Sequence, residues 1–225
     1  MSERYSQRAF APPPGATEVV LVRHGASADA VPGRPFALVD GHGDPPLSPV
    51  GREQAVAVGE RLAREPVDAL FVSGLARTVE TAAPLAERAG LDPVVVALLR
   101  EVKLGEWEGG EFRIRVQRGD PLAIRALTEE RWDVIPGAES MEALSERVRA
   151  GIDEIVRRAG PDATAVAVLH GGVIGEVCRQ ATASRPFAFL LSDNCSVSRL
   201  VVLPDGRWLL RTFNDVAHLA QPARF

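Results

Sequence analysis

Val19-Val20-Leu21-Val22-Arg23-His24-Gly25 is the stretch that decides the fold. An apolar run that ends in polar residues and a glycine is typical of a buried strand that leads into a loop. Three further apolar runs, 68–72, 94–99 and 165–169, have the same character, and helical patterns separate them. Strands that alternate with helices form parallel sheets covered on both faces. The sequence therefore predicts an α/β fold with a mostly parallel sheet and helices on both faces.

The segments outside these strands carry signals for helices and for one hairpin. Ser48-Pro49 offers an N-cap followed by a proline at the first helical position. Apolar residues between 141 and 155 recur at helical spacing, whereas 105–138 is charged and irregular. The strand patterns 197–203 and 208–213 flank a Pro-Asp-Gly turn, which predicts a C-terminal β-hairpin.

Length and composition fit one globular domain. The chain has 225 residues, of which 46% are hydrophobic and 25% are charged, and this is enough to bury one core. We expect a poorly ordered lead-in over residues 1–16, where three consecutive prolines favour extended chain, and a single domain over residues 17–225. Cys178 and Cys195 are too few for a disulfide framework or a zinc site, so we expect two reduced thiols.

Charge and hydropathy argue against several classes of partner. The chain has 26 basic and 30 acidic residues and a net charge of −4, which disfavours binding to nucleic acid or to an anionic membrane. No segment is apolar for long enough to span a bilayer, and the N-terminus lacks the apolar region of a secretory signal. We therefore expect a cytoplasmic protein.

Polar residues follow each of the four apolar runs, namely Arg23-His24, Ser73-Gly74, Glu101 and His170. Ligands of such sheets bind beyond the carboxyl ends of the strands, so we expect these residues to converge on one cleft. Each of the two histidines precedes a glycine, which lets the backbone approach a ligand closely. Arg77, in the first turn of a predicted helix, adds a second guanidinium, and the set suits a phosphate dianion.

The tetrad Val22-Arg23-His24-Gly25 resembles the signature of the histidine phosphatase superfamily, which includes the cofactor-dependent phosphoglycerate mutases. The similarity extends in order along residues 18–213. The further segments that resemble the family are Asp44–Ala55, Ser73–Ala82, Leu99–Glu101, Gly105–Gly109, Pro136–Ser140 and His170–Ile174. An ordered set of this kind is much more specific than an isolated Arg-His-Gly. It implies a phosphoglycerate mutase-like fold.

The resemblance also implies a mechanism that the residue types support. His24 would attack phosphorus and form a phosphohistidine that water then hydrolyses. Nearby arginines disfavour the imidazolium and keep this histidine nucleophilic. Glu101 would protonate the leaving oxygen and later deprotonate the attacking water, and no metal or cofactor would be needed. The residues that the resemblance assigns to catalysis are His24, Glu101, His170, Arg23 and Arg77. Those that it assigns to substrate binding are Arg23, Ser27, Arg77, His170 and Gly171.

The chain departs from the family pattern just after the nucleophile. Ala26 stands where members commonly have Glu or Gln, and Ala30 stands where many have a phosphate-binding Asn. Loss of that amide donor would weaken phosphate binding by roughly 1.5–3 kcal/mol, unless another side chain, with Arg34 a candidate, replaces it. The connection 31–43 is longer than usual, and we expect it to overhang the cleft and to influence substrate choice.

Several other polar residues could have either a structural or a functional role. We interpret His42 as a loop residue near the cleft mouth, and a metal-ligand role is less well supported because companion ligands at suitable spacing are absent. We interpret His218 as structural. Arg113, Arg115 and Arg118 either recognise an acidic substrate or form a solvated face, and the solvated face is the commoner outcome.

Two alternatives to a phosphatase stay open. The Gly105–Gly109 stretch resembles the phosphatase branch, and the long insertion that mutases use is not evident, so a mutase is the second choice. Ala26 and Ala30 motivate a third reading, a catalytically weak protein that binds a phosphorylated ligand. In each case the expected partner is a small phosphorylated metabolite, and a homodimer is compatible with the sequence.

Overall fold

The computed structural model of the chain describes residues 6–219, and a six-stranded sheet lies at its centre. The strands in chain order are β1 (Thr17–Arg23), β2 (Leu38–Val39), β3 (His42–Gly43), β4 (Ala69–Val72), β5 (Val94–Val95), β6 (Thr164–Leu169), β7 (Val197–Val202) and β8 (Trp208–Asp215). The sheet order is β5-β4-β6-β1-β7-β8, while β2 and β3 form a separate pair. Strands β5, β4, β6 and β1 are parallel, and β7 and β8 form the antiparallel hairpin at one edge. The predicted fold class and hairpin are confirmed.

Helices cover both faces of this sheet. They are α1 (Pro49–Leu62), α2 (Ala76–Ala89), α3 (Glu111–Gln117), α4 (Pro121–Glu129), α5 (Met141–Ala159) and α6 (Gly171–Thr182). Alternate residues of a strand point to opposite faces. Val20 and Val22 therefore pack in the core under α1 and α2, whereas Val19 and Leu21 pack in the core under α5 and α6. Burial on both faces explains why β1 is a continuous apolar run.

The strand predicted over 94–99 is shorter than expected. Only Val94–Val95 pairs with β4, and Ala97–Leu99 forms a 3₁₀ turn. The chain leaves the sheet there because Leu99 is drawn into the core against α5, where a Cβ at Gly151 would lie 2.6 Å from the Leu99 side chain. Hydrophobic burial of one side chain outweighs the pairing of an edge strand.

The segment 105–138 is more regular than the sequence indicated. It holds a 3₁₀ turn at Gly105–Trp107 together with α3 and α4. Asp120 caps α4 by accepting the backbone N–H of Leu122 at 2.8 Å, and Pro121 takes the first helical position. The Asp120-Pro121 pair is a recognisable signal for the start of a helix, although the many surrounding charges obscure the apolar periodicity.

The lead-in predicted over residues 1–16 lies partly outside the described residues, since 1–5 are not among them. Residues 6–16 contain no helix or strand, and the segment is tied at its end by a 2.7 Å hydrogen bond from the Gly15 N–H to Asp162. The single domain over 17–225 stays a prediction. Within residues 6–219, no helix is both long enough and apolar enough to cross a membrane.

Candidate active site

A cavity of about 180 Å³ lies at the carboxyl end of β1. Four of the predicted catalytic residues line it, namely Arg23, His24, Arg77 and Glu101. The fifth, His170, lies directly beside His24, with 5.2 Å between the two ring centroids. Parallel strands place their carboxyl ends at one edge, so residues distant in the sequence meet there.

His24 is a buried, neutral imidazole with one free nitrogen. It follows β1 and is 4% exposed, and its Nδ1 lies 2.8 Å from the carbonyl oxygen of Gly25. Because a carbonyl can only accept, Nδ1 carries the proton and Nε2 keeps a lone pair. Burial, and then the positive charges of Arg77 and Arg23, hold the pKa of His24 well below its usual range. Nε2 can therefore act as a nucleophile.

The backbone around His24 is held by contacts that sequence reasoning missed. The Asn194 side chain donates to the His24 carbonyl at 2.8 Å, and the Gly25 N–H donates to the Thr81 hydroxyl at 3.0 Å. A Cβ at Gly25 would lie 2.5 Å from the carbonyl oxygen of Gly51, so only glycine fits between β1 and α1. Asn194 comes from the turn before β7, and no local pattern marks it as part of a site.

His170 is completely buried and occupies the N-cap position of α6, where its side chain makes no capping hydrogen bond. Its Nε2 lies 2.8 Å from the Ser73 hydroxyl, while its Nδ1 has no partner among the described residues. Burial and the charge of Arg77 hold the pKa of His170 well below its usual range. The Thr78 hydroxyl donates to the Leu75 carbonyl and lies 3.1 Å from the Ser73 hydroxyl, so the single proton of Ser73 goes either to Thr78 or to Nε2 of His170. Only in the second case does the proton of the neutral ring reside on Nδ1, which is then a hydrogen-bond donor.

Of the two predicted arginines, Arg77 is buried and Arg23 is half-buried, and both are only partly neutralised. Arg23 donates through Nη1 to the carbonyl of Ser192, and its buried Nε has no partner among the described residues. Arg77, the second residue of α2, donates to the carbonyl of Gly43 at 2.9 Å and lies 3.8 Å from an Asp44 oxygen. Burial lowers the pKa of both guanidiniums. Unpaired donors of this kind suit an anion.

Glycines after His170 make room for the neighbouring charged groups. A Cβ at Gly171 would lie 3.4 Å from Nε of Arg23, and one at Gly172 would lie 2.7 Å from Oε1 of Glu101. Glu101 accepts the N–H of Val102 at 2.9 Å and that of Gly172 at 3.4 Å. The carboxylate is thereby held at the cavity wall, at the start of α6.

The connection 31–43 overhangs the cavity, as predicted. It forms the β2–β3 hairpin, and Phe36, His42 and Gly43 line the cavity wall. The Gly43 N–H donates to Glu108 at 2.7 Å, and the hairpin tip is tied down by an ion pair between Asp40 and Arg100. The hairpin thus forms a fixed wall of the site.

One substrate-binding expectation needs correction, and a second stays a prediction. Arg34 is exposed and does not line the cavity, so it does not replace the amide that is absent at Ala30. Ser27 is not among the residues that line the cavity, and neither are His170 and Gly171. The Ser27 hydroxyl accepts a 2.5 Å hydrogen bond from Arg113, which does line the cavity, so the assignment of Ser27 to substrate binding stays a prediction.

The three arginines around α3 have three different environments. Arg113 lines the cavity, whereas Arg115 stacks 5.1 Å from the Trp107 ring and pairs with Glu111. Arg118 is exposed at the end of the helix. The solvated-face interpretation therefore fits Arg115 and Arg118, but not Arg113.

The other two histidines, His42 and His218, have different surroundings. His218 bridges Arg61, which donates to its Nδ1 at 2.9 Å, and the carbonyl of Cys195, which accepts from its Nε2 at 3.0 Å; its structural role is confirmed. His42 lines the cavity mouth. Asp44 accepts the N–H of Ala76 at 2.8 Å, and within residues 6–219 no three His, Cys, Asp or Glu side chains are grouped to hold a metal ion.

Comparison with known proteins identifies the family. The family model of the histidine phosphatase superfamily (branch 1) matches residues 19–216. A metal-independent phosphoserine phosphatase of Arabidopsis thaliana is 33% identical over 209 residues, which cover 91% of this chain and 84% of that protein. A probable phosphoglycerate mutase of Salmonella choleraesuis is 31% identical over 216 residues, which cover 92% and 96%.

Solved structures agree with the sequence comparison. A mycobacterial glucosyl-3-phosphoglycerate phosphatase superposes with a TM-score of 0.72 at 30% identity, over 88% of this chain and 99% of that one. A structure described as mycobacterial hydrolase 1 gives a TM-score of 0.74 at 31% identity, over 90% and 100%. The chain belongs to the histidine phosphatase superfamily, and it is an enzyme of the phosphatase class.

Proposed function

We propose that this enzyme hydrolyses a small phosphomonoester without a metal ion, by way of a phosphohistidine on His24. The observation that carries the proposal is the buried neutral imidazole of His24, whose Nδ1 is committed to the Gly25 carbonyl while Nε2 keeps its lone pair. A fixed tautomer next to one buried and one half-buried arginine matches the needs of a nucleophile that attacks a phosphate dianion.

In the first half-reaction, Nε2 of His24 forms a bond to phosphorus as the bond to the ester oxygen breaks. Glu101 in its protonated form gives its proton to that departing oxygen, so the leaving group departs as an alcohol. In the second half-reaction, the Glu101 carboxylate takes a proton from water, and the water oxygen attacks phosphorus. The electrons of the N–P bond return to Nε2, and inorganic phosphate leaves.

The other charged groups stabilise the phosphoryl group during transfer. Arg23 and Arg77 would donate to its non-bridging oxygens, and His170 would add a neutral donor. Donors that are already fixed before the substrate binds need little reorganisation during the reaction. In this proposal the guanidiniums supply the positive charge that a metal supplies in other phosphatases.

The proposed substrate is a small phosphorylated metabolite. The similar proteins described as a phosphoserine phosphatase and a glucosyl-3-phosphoglycerate phosphatase both act on compounds of this class. In this chain Phe36, Leu104 and Phe112 contribute apolar surface to the cavity wall, so the substituent on the phosphate would contact apolar as well as polar atoms.

A phosphate-release screen over small phosphorylated metabolites tests the proposal. Wild-type enzyme should release inorganic phosphate in the presence of a metal chelator and without any bisphosphorylated primer. His24→Asn should remove essentially all turnover, and Arg118→Ala, at an exposed site on the same protein, serves as the control. Wild-type enzyme that releases no phosphate from any metabolite of the screen would contradict the proposal.

A mutase is the second candidate, because one similar protein is described as a probable phosphoglycerate mutase. A mutase would keep His24 phosphorylated and would depend on a bisphosphorylated primer. Primer-dependent isomerisation with negligible phosphate release would therefore favour it. Tight binding of phosphate with neither activity would favour the non-catalytic ligand-binding alternative that Ala26 and Ala30 suggest.

A further inference from the structure

Arg113 reaches the active-site cavity from a segment that is distant from the catalytic motifs. It lies in α3, lines the same cavity as Arg23, His24 and Glu101, and much of the residue is otherwise exposed. Its Nη1 donates to the carbonyl of Ala28 at 3.1 Å, and its Nη2 donates to the hydroxyl of Ser27 at 2.5 Å. Both acceptors belong to the chain just after the nucleophile.

Arg113 forms no direct ion pair with a carboxylate of residues 6–219. Among the described residues no Asp or Glu oxygen lies within ion-pairing distance of it, whereas Arg115 on the same helix pairs with both Glu111 and Asp120. Burial, and then the positive charge of Arg23, lower the pKa of Arg113, and the charges of Asp29 and Glu101 oppose this only in part. An anion bound between Arg113 and Arg23 would relieve the repulsion between the two guanidiniums.

The local packing brings Arg113 to this position. A Cβ at Gly110 would lie 3.0 Å from the Cβ of Ala30 and 3.1 Å from the Phe36 ring. The small side chain at position 30 and the glycine at position 110 therefore let the start of α3 approach the loop after His24 closely. A larger residue at either place would push α3, and Arg113 with it, away from the cavity.

We propose that Arg113 is a third phosphoryl-binding guanidinium, in addition to Arg23 and Arg77. The inference rests on the proposed function, because it assigns a role within the same site. A guanidinium has five N–H donors in a rigid fork, and only two of the five are used by Ala28 and Ser27. The remaining donors can bind the phosphoryl oxygens while the other two fix the orientation of the group.

Binding of inorganic phosphate, measured by calorimetry, tests this role without any turnover. Arg113→Ala should weaken phosphate binding by roughly 10- to 150-fold, the effect of one or two charge-assisted hydrogen bonds. Arg118→Ala, at the exposed end of the same helix, should leave it unchanged. Arg113→Lys should bind phosphate more tightly than Arg113→Ala, because it keeps the charge. The thermal midpoint of each variant reports separately on folding.

Two results would overturn the assignment. One is a folded Arg113→Ala variant that binds phosphate as tightly as the wild type. The other is a loss confined to substrates that carry a carboxylate, such as phosphoserine compared with phosphoethanolamine, with unchanged binding of inorganic phosphate. Failure of the proposed function is distinguishable, since wild-type enzyme would then bind phosphate through Arg113 and still show no hydrolysis.

Discussion

The imidazole rings of His24 and His170 lie 5.2 Å apart, centroid to centroid, and meet at an angle of 62°. Both rings are buried beside Arg77, and both pKa values are held well below the usual range of histidine, mainly by burial. Two protonated rings at this separation, next to a guanidinium, would repel one another strongly. The arrangement therefore requires both imidazoles to be neutral in the free enzyme.

This neutrality predicts how stability depends on pH. Below roughly pH 6.5 the unfolded chain protonates its histidines, whereas folded His24 and His170 stay neutral. The unfolded state then binds more protons, so the free energy of unfolding should fall as the pH decreases, by up to about 1.4 kcal/mol per pH unit for each such histidine. Urea unfolding between neutral and mildly acidic pH measures the slope. A His24→Asn variant should show a shallower slope, and a slope equal to that of the wild type would contradict the assignment.

Substitution of the proposed general acid should have an effect that depends on the leaving group. Glu101→Gln keeps the shape of the side chain but cannot transfer a proton, and kcat with alkyl phosphates should fall by roughly 10²- to 10⁴-fold. Aryl phosphates, whose leaving groups need no protonation, should lose much less in their first step. Glu106→Gln is a matched control because Glu106 is exposed and nearby in the chain. Equal losses for both kinds of substrate would exclude Glu101 as the acid.

The glycine beside Glu101 should be sensitive to the addition of a single methyl group. In Gly172→Ala the new Cβ would meet Oε1 of Glu101 at 2.7 Å and a methyl group of Val102 at 2.5 Å. Overpacking of this kind costs roughly 1–3 kcal/mol, and displacement of the carboxylate should lower kcat further. Steady-state kinetics should show the leaving-group dependence of Glu101→Gln. Wild-type kinetics in this variant would mean that the carboxylate position is not critical.

The two cysteines should be inert while the enzyme is folded. Burial raises the pKa of Cys178 and of Cys195 to about 12, so almost no reactive thiolate is present at neutral pH. A thiol reagent should label neither residue in the native enzyme and both residues in urea, as measured by mass spectrometry. Rapid labelling of either thiol under native conditions would show that its surroundings open more readily than the packing implies.

The sequence predicted which strand ends meet at the site because the strands and helices around it depend on local sequence signals. Buried strands such as β1 are continuous apolar runs, and the polar residues that follow them must meet at one edge of a parallel sheet. The position of Arg77 near the site could be predicted because the sequence indicates where its helix starts. Long apolar runs and turn residues are visible in a single sequence, and these place His24 and His170.

The sequence did not predict contacts that depend on tertiary packing. Asn194 reaches the carbonyl of His24 across 170 positions of the chain, and Arg113 enters the cavity only because α3 approaches Ala30. Nothing in the alternation of Arg113 and Arg115 shows which one faces the cavity, since the turn of a short helix decides it. Leu99 left its expected strand because of burial against Gly151, which local propensity cannot show.

The most direct test of the account is to identify the phosphorylated residue. Enzyme mixed rapidly with excess substrate and quenched in base should carry a phosphoryl group that is stable in alkali and labile in acid, on the peptide that contains His24. His24→Asn should carry none. A phosphoryl group on another residue, or turnover by His24→Asn at the wild-type rate, would contradict nucleophilic catalysis by this imidazole.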